Sequence, residues 1–77
     1  MANVTIYTTP TCTYCKMTKA FFKENNVEYS EVDVAADQSE AQAMFEKSGQ
    51  MGVPVIEVDG KIIVGFDKEA LKQALGM

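Results

Sequence analysis

Apolar and polar positions recur along this chain with two different periods, and each change of period marks an element. Val4–Thr8 (VTIYT) is β-branched and aromatic and predicts a strand that Pro10 ends. From Thr13 to about Asn25 the apolar positions Tyr14, Met17, Phe21 and Phe22 follow a helical period, which Asn25-Asn26 breaks. Val27–Val34 (VEYSEVDV) alternates as a half-buried strand does. Asp37-Gln38-Ser39-Glu40 has capping-box spacing and predicts a second helix. Its inner side holds Ala41, Met44, Phe45 and Ser48, and Gly49 stops it. Val53–Val58 reads as a strand with Pro54 near its start, and Asp59-Gly60 predicts a hairpin into Lys61–Val64. Asp67 then caps a short helix burying Ala70, Leu71, Ala74 and Leu75. The order is β-α-β-α-β-β-α. A βαβ crossover makes parallel strands and the hairpin adds an antiparallel pair, so the expected fold is α/β, a four-stranded mixed sheet flanked by helices.

Composition narrows the chemistry. A length of 77 residues accommodates one domain, spanning 1–77, and the 47% apolar content is that of a globular chain. Seven lysines, no arginine and eleven acids give −4, which opposes binding to phosphate backbones, so no nucleic acid is expected as a partner. The absence of histidine excludes a Ser-His-Asp or Cys-His nucleophile and any His-ligated zinc, and two cysteines cannot form a four-thiolate site within one chain, so no metal ligands are assigned. Residues 1–10 carry no basic, apolar leader, and the apolar runs are too short to span a bilayer. The expectation is a cytoplasmic protein with reduced thiols and no membrane partner.

Cys12-Thr13-Tyr14-Cys15 lies where the first strand runs into the first helix, and a C-x-x-C beside a βαβ pattern reads as a thioredoxin-like redox motif. A sulfur at a helix N-terminus faces unpaired N–H groups and the positive end of the dipole, which favour a thiolate. On a helical wheel of about 100° per residue, Lys16, Lys19 and Lys23 share the direction of Cys12, while Cys15 falls beside Phe22. Cys12 is therefore the expected attacking thiol, and Cys15, turned toward the core, the resolving one. Residues 31–59 carry −6 and the segments either side +1 each, so the acid lies away from the CxxC helix. The competing readings are two small buried hydrophobes, or half of a metal site completed by a second subunit.

Ile6-Tyr7-Thr8-Thr9-Pro10-Thr11-Cys12-Thr13-Tyr14-Cys15, Gly52-Val53-Pro54 and Gly65-Phe66-Asp67 together resemble the glutaredoxin family, specifically its small glutaredoxin-like members on a thioredoxin-type fold. The resemblance implies a thiol–disulfide oxidoreductase with Cys12 as nucleophile and Cys15 as resolving thiol. It also implies a cis Pro54 against the active-site disulfide, a Val53 backbone that pairs with the substrate, rim contacts from Phe66 and Asp67, and a polar contact from Gln50. Tyr14 stands at the same rim, its wheel position allowing partial burial. The implied partners are disulfide-containing proteins and, as reductant, glutathione or thioredoxin reductase, with no bound cofactor and a monomeric chain. Thr9 stands where many glutathione-using members have lysine, Gly52 where they have threonine, and Met51 where an arginine is common. Losing two cations weakens the capture of glutathione's two carboxylates. Gly65-Phe66 is shared with NrdH-type redoxins, which are recharged by thioredoxin reductase, so an NrdH-like electron donor is one alternative. A dimer holding an iron–sulfur cluster through Cys12 and two glutathiones is the other.

Overall fold

The structure is a computed structural model describing residues 3–49 and 52–76. Its elements are β1 (Val4–Thr8), α1 (Thr13–Glu24), β2 (Ser30–Asp33), α2 (Gln38–Ser48), β3 (Val55–Val58), β4 (Lys61–Val64) and α3 (Lys68–Leu75). The strands form one sheet in the order β2-β1-β3-β4, with β1 parallel to β2 and antiparallel to β3, and β4 antiparallel to β3.

Strand alternation divides the core between the two faces of the sheet. Val4 and Ile6 of β1, Ile56 and Val58 of β3 and Ile63 of β4 pack with Phe21 and Phe22 of α1 and Leu71 of α3. On the opposite face Tyr7, Val34 and Val55 pack with Met44 of α2. Lys47, in the last turn of α2, donates to the Tyr7 hydroxyl at 2.9 Å and pairs with Glu57 at 3.0 Å, fastening that helix to the sheet. The Tyr7 hydroxyl and then the Glu57 carboxylate hold the Lys47 ammonium above its ordinary value.

Local chemistry sets most boundaries. Asp37 caps α2, its carboxylate accepting from Ser39 N–H at 3.0 Å and from the Ser39 hydroxyl at 2.6 Å, and the Ser39 bonds hold that carboxyl below its usual range. Asp59 (φ 49°) and Gly60 (φ 87°) are both left-handed, as a tight hairpin turn requires. Asn3 N–H donates to Asp59 Oδ1 at 2.8 Å and Asp59 N–H donates to the Asn3 carbonyl at 2.9 Å, so this turn is tied to the lead-in of β1.

Three expectations are corrected. The second strand runs only from Ser30, not Val27: Val27 N–H is spent on the Phe22 carbonyl at 2.8 Å, closing the end of α1 after the left-handed Asn26. Phe45, expected on the inner side of α2, is not a core residue but is 46% exposed, and Met17, at the helical period of α1, is 45% exposed. The buried stripe of α1 is instead Cys15, Thr18, Phe21 and Phe22, and Thr18 can be buried because its hydroxyl donates to the Tyr14 carbonyl at 2.8 Å.

Candidate active site

The register gathers the candidate residues at one edge of the sheet. Thr8 ends β1 opposite Asp33, Tyr7 faces Val55 at the start of β3, and Val55 faces Val64 at the end of β4. The segments carrying Cys12, Tyr14 and Cys15, then Val53 and Pro54, then Phe66 and Asp67, therefore all leave or enter the sheet at that edge. Gln50 lies outside the described residues.

Cys12 is the N-cap of α1, with extended backbone (φ −83°, ψ 112°), and Cys15 N–H donates to its Sγ at 3.1 Å. A sulfur thus occupies the place a serine or aspartate oxygen usually takes, accepting from the third residue of the helix. The first turn contains no acidic residue to compete for the dipole's positive end. Cys12 Sγ thus sits at the N-terminal end of α1 with a backbone N–H and no carboxylate of that turn beside it. Cys12 is partly exposed and Cys15 is 0% exposed, and both are free thiols. Burial pushes the Cys15 thiol up, its hydrogen bond with Cys12 adding to this, while the Thr8 hydroxyl and Thr9 backbone pull the other way. The geometry separates a partly exposed sulfur that caps the helix from a shielded one whose thiol burial pushes up.

The lysine stripe contributes less than the wheel suggests. Lys19, the middle cation of the stripe, is paired with Glu31 of β2 at 3.2 Å, so part of its charge is answered there. Pro54 is buried and follows a cis Val53–Pro54 peptide, and its carbonyl accepts from Gly65 N–H at 2.9 Å, which joins the Val53-Pro54 and Gly65-Phe66-Asp67 segments. Phe66 turns back onto Phe21 with ring centroids 6.1 Å apart and edge-on. Asp67 caps α3 by accepting from Ala70 N–H at 3.1 Å. Tyr14 is 62% exposed, beyond the partial burial its wheel position suggested. Among the described residues no three His, Cys, Asp or Glu side chains converge as metal ligands, and no helix is long and apolar enough to cross a membrane.

A βαβ-plus-hairpin sheet with a dithiol at a strand-to-helix junction defines the class of thioredoxin-fold redox proteins. The comparisons narrow the class. The Glutaredoxin family model matches residues 4–63, and the chain belongs to the glutaredoxin family. It is 46% identical over 72 residues to an uncharacterized glutaredoxin-like 8.6 kDa protein in the rubredoxin operon of Clostridium pasteurianum, covering 94% of this chain and 96% of that one. It is 37% identical over 67 residues to glutaredoxin 3 of Escherichia coli K12, covering 87% and 81%. Among solved structures, a mutant of the thioredoxin-like protein BC3987 superposes with a TM-score of 0.90 at 33% identity, covering 99% and 97% of the two chains. Glutaredoxin from Archaeoglobus fulgidus superposes at 0.88 and 28%, covering 97% and 87%. The fold is thioredoxin-like, and the chain is a thiol–disulfide oxidoreductase with a CxxC dithiol.

Proposed function

We propose that Cys12 attacks and Cys15 resolves. The Cys12 thiolate displaces one sulfur of a substrate disulfide, forming a mixed disulfide and releasing one substrate thiolate. The Cys15 sulfur then attacks Cys12 Sγ, its proton leaving with the second departing substrate sulfur. The substrate gains two electrons and the Cys12–Cys15 disulfide forms. The observation that carries this reading is the Cys15 N–H to Cys12 Sγ bond on a partly exposed sulfur, beside a partner sulfur with no exposure. Val53 and Pro54 on one side and Tyr14, Phe66 and Asp67 on the other are the proposed docking rim, with Gln50 a further contact. The chemistry is complete within one chain, so the monomer is the proposed working form, acting in the reducing cytoplasm. Glutathione, the reductant of glutaredoxins, or thioredoxin reductase recharges it.

Trapping tests the assignment. Incubated with an oxidised protein substrate, Cys15→Ser accumulates a mixed disulfide through Cys12, whereas Cys12→Ser accumulates none. Trapping through Cys15 in the Cys12→Ser variant, at the rate of the Cys15→Ser variant, reverses the roles.

A further inference from the structure

Three elements meet at Lys47. It stands in the last turn of α2, its Nζ donates to the Tyr7 hydroxyl of β1 at 2.9 Å, and it pairs with Glu57 of β3 at 3.0 Å. The ammonium also lies 5.5 Å from the centre of the Tyr7 ring, over its face. Tyr7 is buried and faces Val55, the residue that follows Pro54, and Glu57 stands two residues further along β3. Lys47 and Glu57 thus bracket the segment that carries Val53 and Pro54 and close it at its base. The Pro54 side of that segment is held without Lys47, since Pro54 is buried, its carbonyl accepts from Gly65 N–H at 2.9 Å, and Val55 enters the ladder. The Val53 side depends on α2. Val53 packs against the cluster of Tyr7, Val34, Met44 and Val55, and among the described residues of α2 only Met44 is buried.

We propose that Lys47 is a positioning residue for substrate docking, holding the Val53 backbone in place by clamping α2 onto β1 and β3. The inference rests on Val53 and Pro54 being part of the docking rim. The link runs through packing. Tyr7 forms one wall of the seat beneath Val53 and Met44 of α2 another, and the Lys47 bond to the Tyr7 hydroxyl fixes the two walls to each other. Without that bond α2 shifts over Tyr7, Met44 moves with it, and Val53 loses its seat. A half-exposed ion pair adds little to global stability, but backbone pairing is exacting, because a hydrogen bond weakens steeply once its angle or length departs from the usual range. Cys12 is insulated from the change. Its helix packs on the opposite face of the sheet through Phe21 and Phe22, and the bond from Cys15 N–H to Cys12 Sγ lies within that helix. Loss of the clamp therefore weakens capture of the substrate backbone and leaves the attack by Cys12 unaltered.

The test uses Gly-Gly-Cys-Gly-Gly disulfide-linked to thionitrobenzoate, the same peptide with the amides flanking its cysteine N-methylated, and mercaptoethanol linked in the same way. Release of thionitrobenzoate by the reduced protein reads formation of the mixed disulfide, and its dependence on probe concentration separates half-saturation from limiting rate. Lys47→Met raises the half-saturation concentration for the peptide about fivefold and keeps the limiting rate within about twofold. The mercaptoethanol probe, which has no backbone to pair, reacts as it does with the native chain. Tyr7→Phe combined with Glu57→Gln removes the hydroxyl and the carboxylate from the clamp, shifts half-saturation the same way, and decides the matter if Lys47→Met does not fold. Ala74→Gly, in the last turn of α3 and away from the end that Asp67 caps, lowers the Tm and leaves half-saturation where it was. Unchanged half-saturation in the clamp variants, an equal rise in Ala74→Gly, or an equal slowing of the mercaptoethanol probe overturns the positioning role and leaves Val53 as a docking residue. If N-methylation leaves half-saturation unchanged with the native chain, docking on Val53 fails and the role of Lys47 fails with it.

Discussion

Because its sulfur closes the first turn of α1, Cys12 is a structural cap as well as a reactive group, and replacing it changes stability in a direction unrelated to chemistry. Cys12→Ala removes the acceptor for Cys15 N–H, Cys12→Ser restores an oxygen acceptor, and Cys12→Asp adds a charge where the first turn has no acid. A serine cap is worth about 1 kcal/mol over alanine, and a carboxylate at the dipole's positive end adds about 0.3–1 kcal/mol. A chain of this length has a total stability of about 4–12 kcal/mol and shifts its Tm by about 4–8 °C for each kcal/mol. The serine variant therefore melts about 4–8 °C above the alanine variant, and the aspartate variant a few degrees higher still, although all three lack the thiol. Circular-dichroism melts in reducing buffer measure the series. In about 1 M salt the aspartate increment shrinks, since the dipole contribution is screened, while the serine increment persists. Three superimposable melting curves would falsify the argument that the Sγ contact caps the helix.

Phe22 is 0% exposed and packed on Tyr29 at 5.2 Å between ring centres, so Phe22→Ala costs about 3–5 kcal/mol in urea unfolding, and a loss under about 1 kcal/mol refutes that packing role. Cys15, held above its ordinary value of 9.0 mainly by burial, keeps its proton to higher pH folded than unfolded. Its contribution to stability is therefore whole below about pH 8.5 and declines as pH rises further, and urea midpoints should fall more steeply on the alkaline side for the reduced protein than for Cys15→Ala. Parallel alkaline limbs contradict it. With both Thr9 and Met51 in place of cations, NADPH oxidation through thioredoxin reductase should exceed that through glutathione and glutathione reductase, and the reverse order shows that carboxylate capture survives without them.

Much of the architecture was readable from local signals. Asp37, Asp67 and Asp59-Gly60 act within a few residues of themselves, so each cap and the hairpin turn follow from sequence. The CxxC position needed only the β1-to-α1 junction. The misreadings share a cause, in that tertiary contacts decided between local alternatives. Tyr14, Met17 and Phe45 are apolar at helical spacing, yet burial went to Thr18, whose hydroxyl is satisfied within its own helix. Val27 alternates like a strand residue but serves the end of α1 with its N–H. The pairing of Lys19 with Glu31 joins two elements the wheel treats separately. Phe66 folds back onto Phe21, a contact between distant segments that neither segment's pattern announces.

The reciprocal pair of bonds between Asn3 and Asp59 lies at the pole of the sheet remote from sulfur. A docked partner pulling on the loops at the reactive pole loads β1 and β3 along their lengths, and sliding one past the other would require unfastening that lock as well as the ladder. The scaffold is thus pinned at its quiet end. Covalent traffic at the sulfur is borne by strands that cannot change register beneath it.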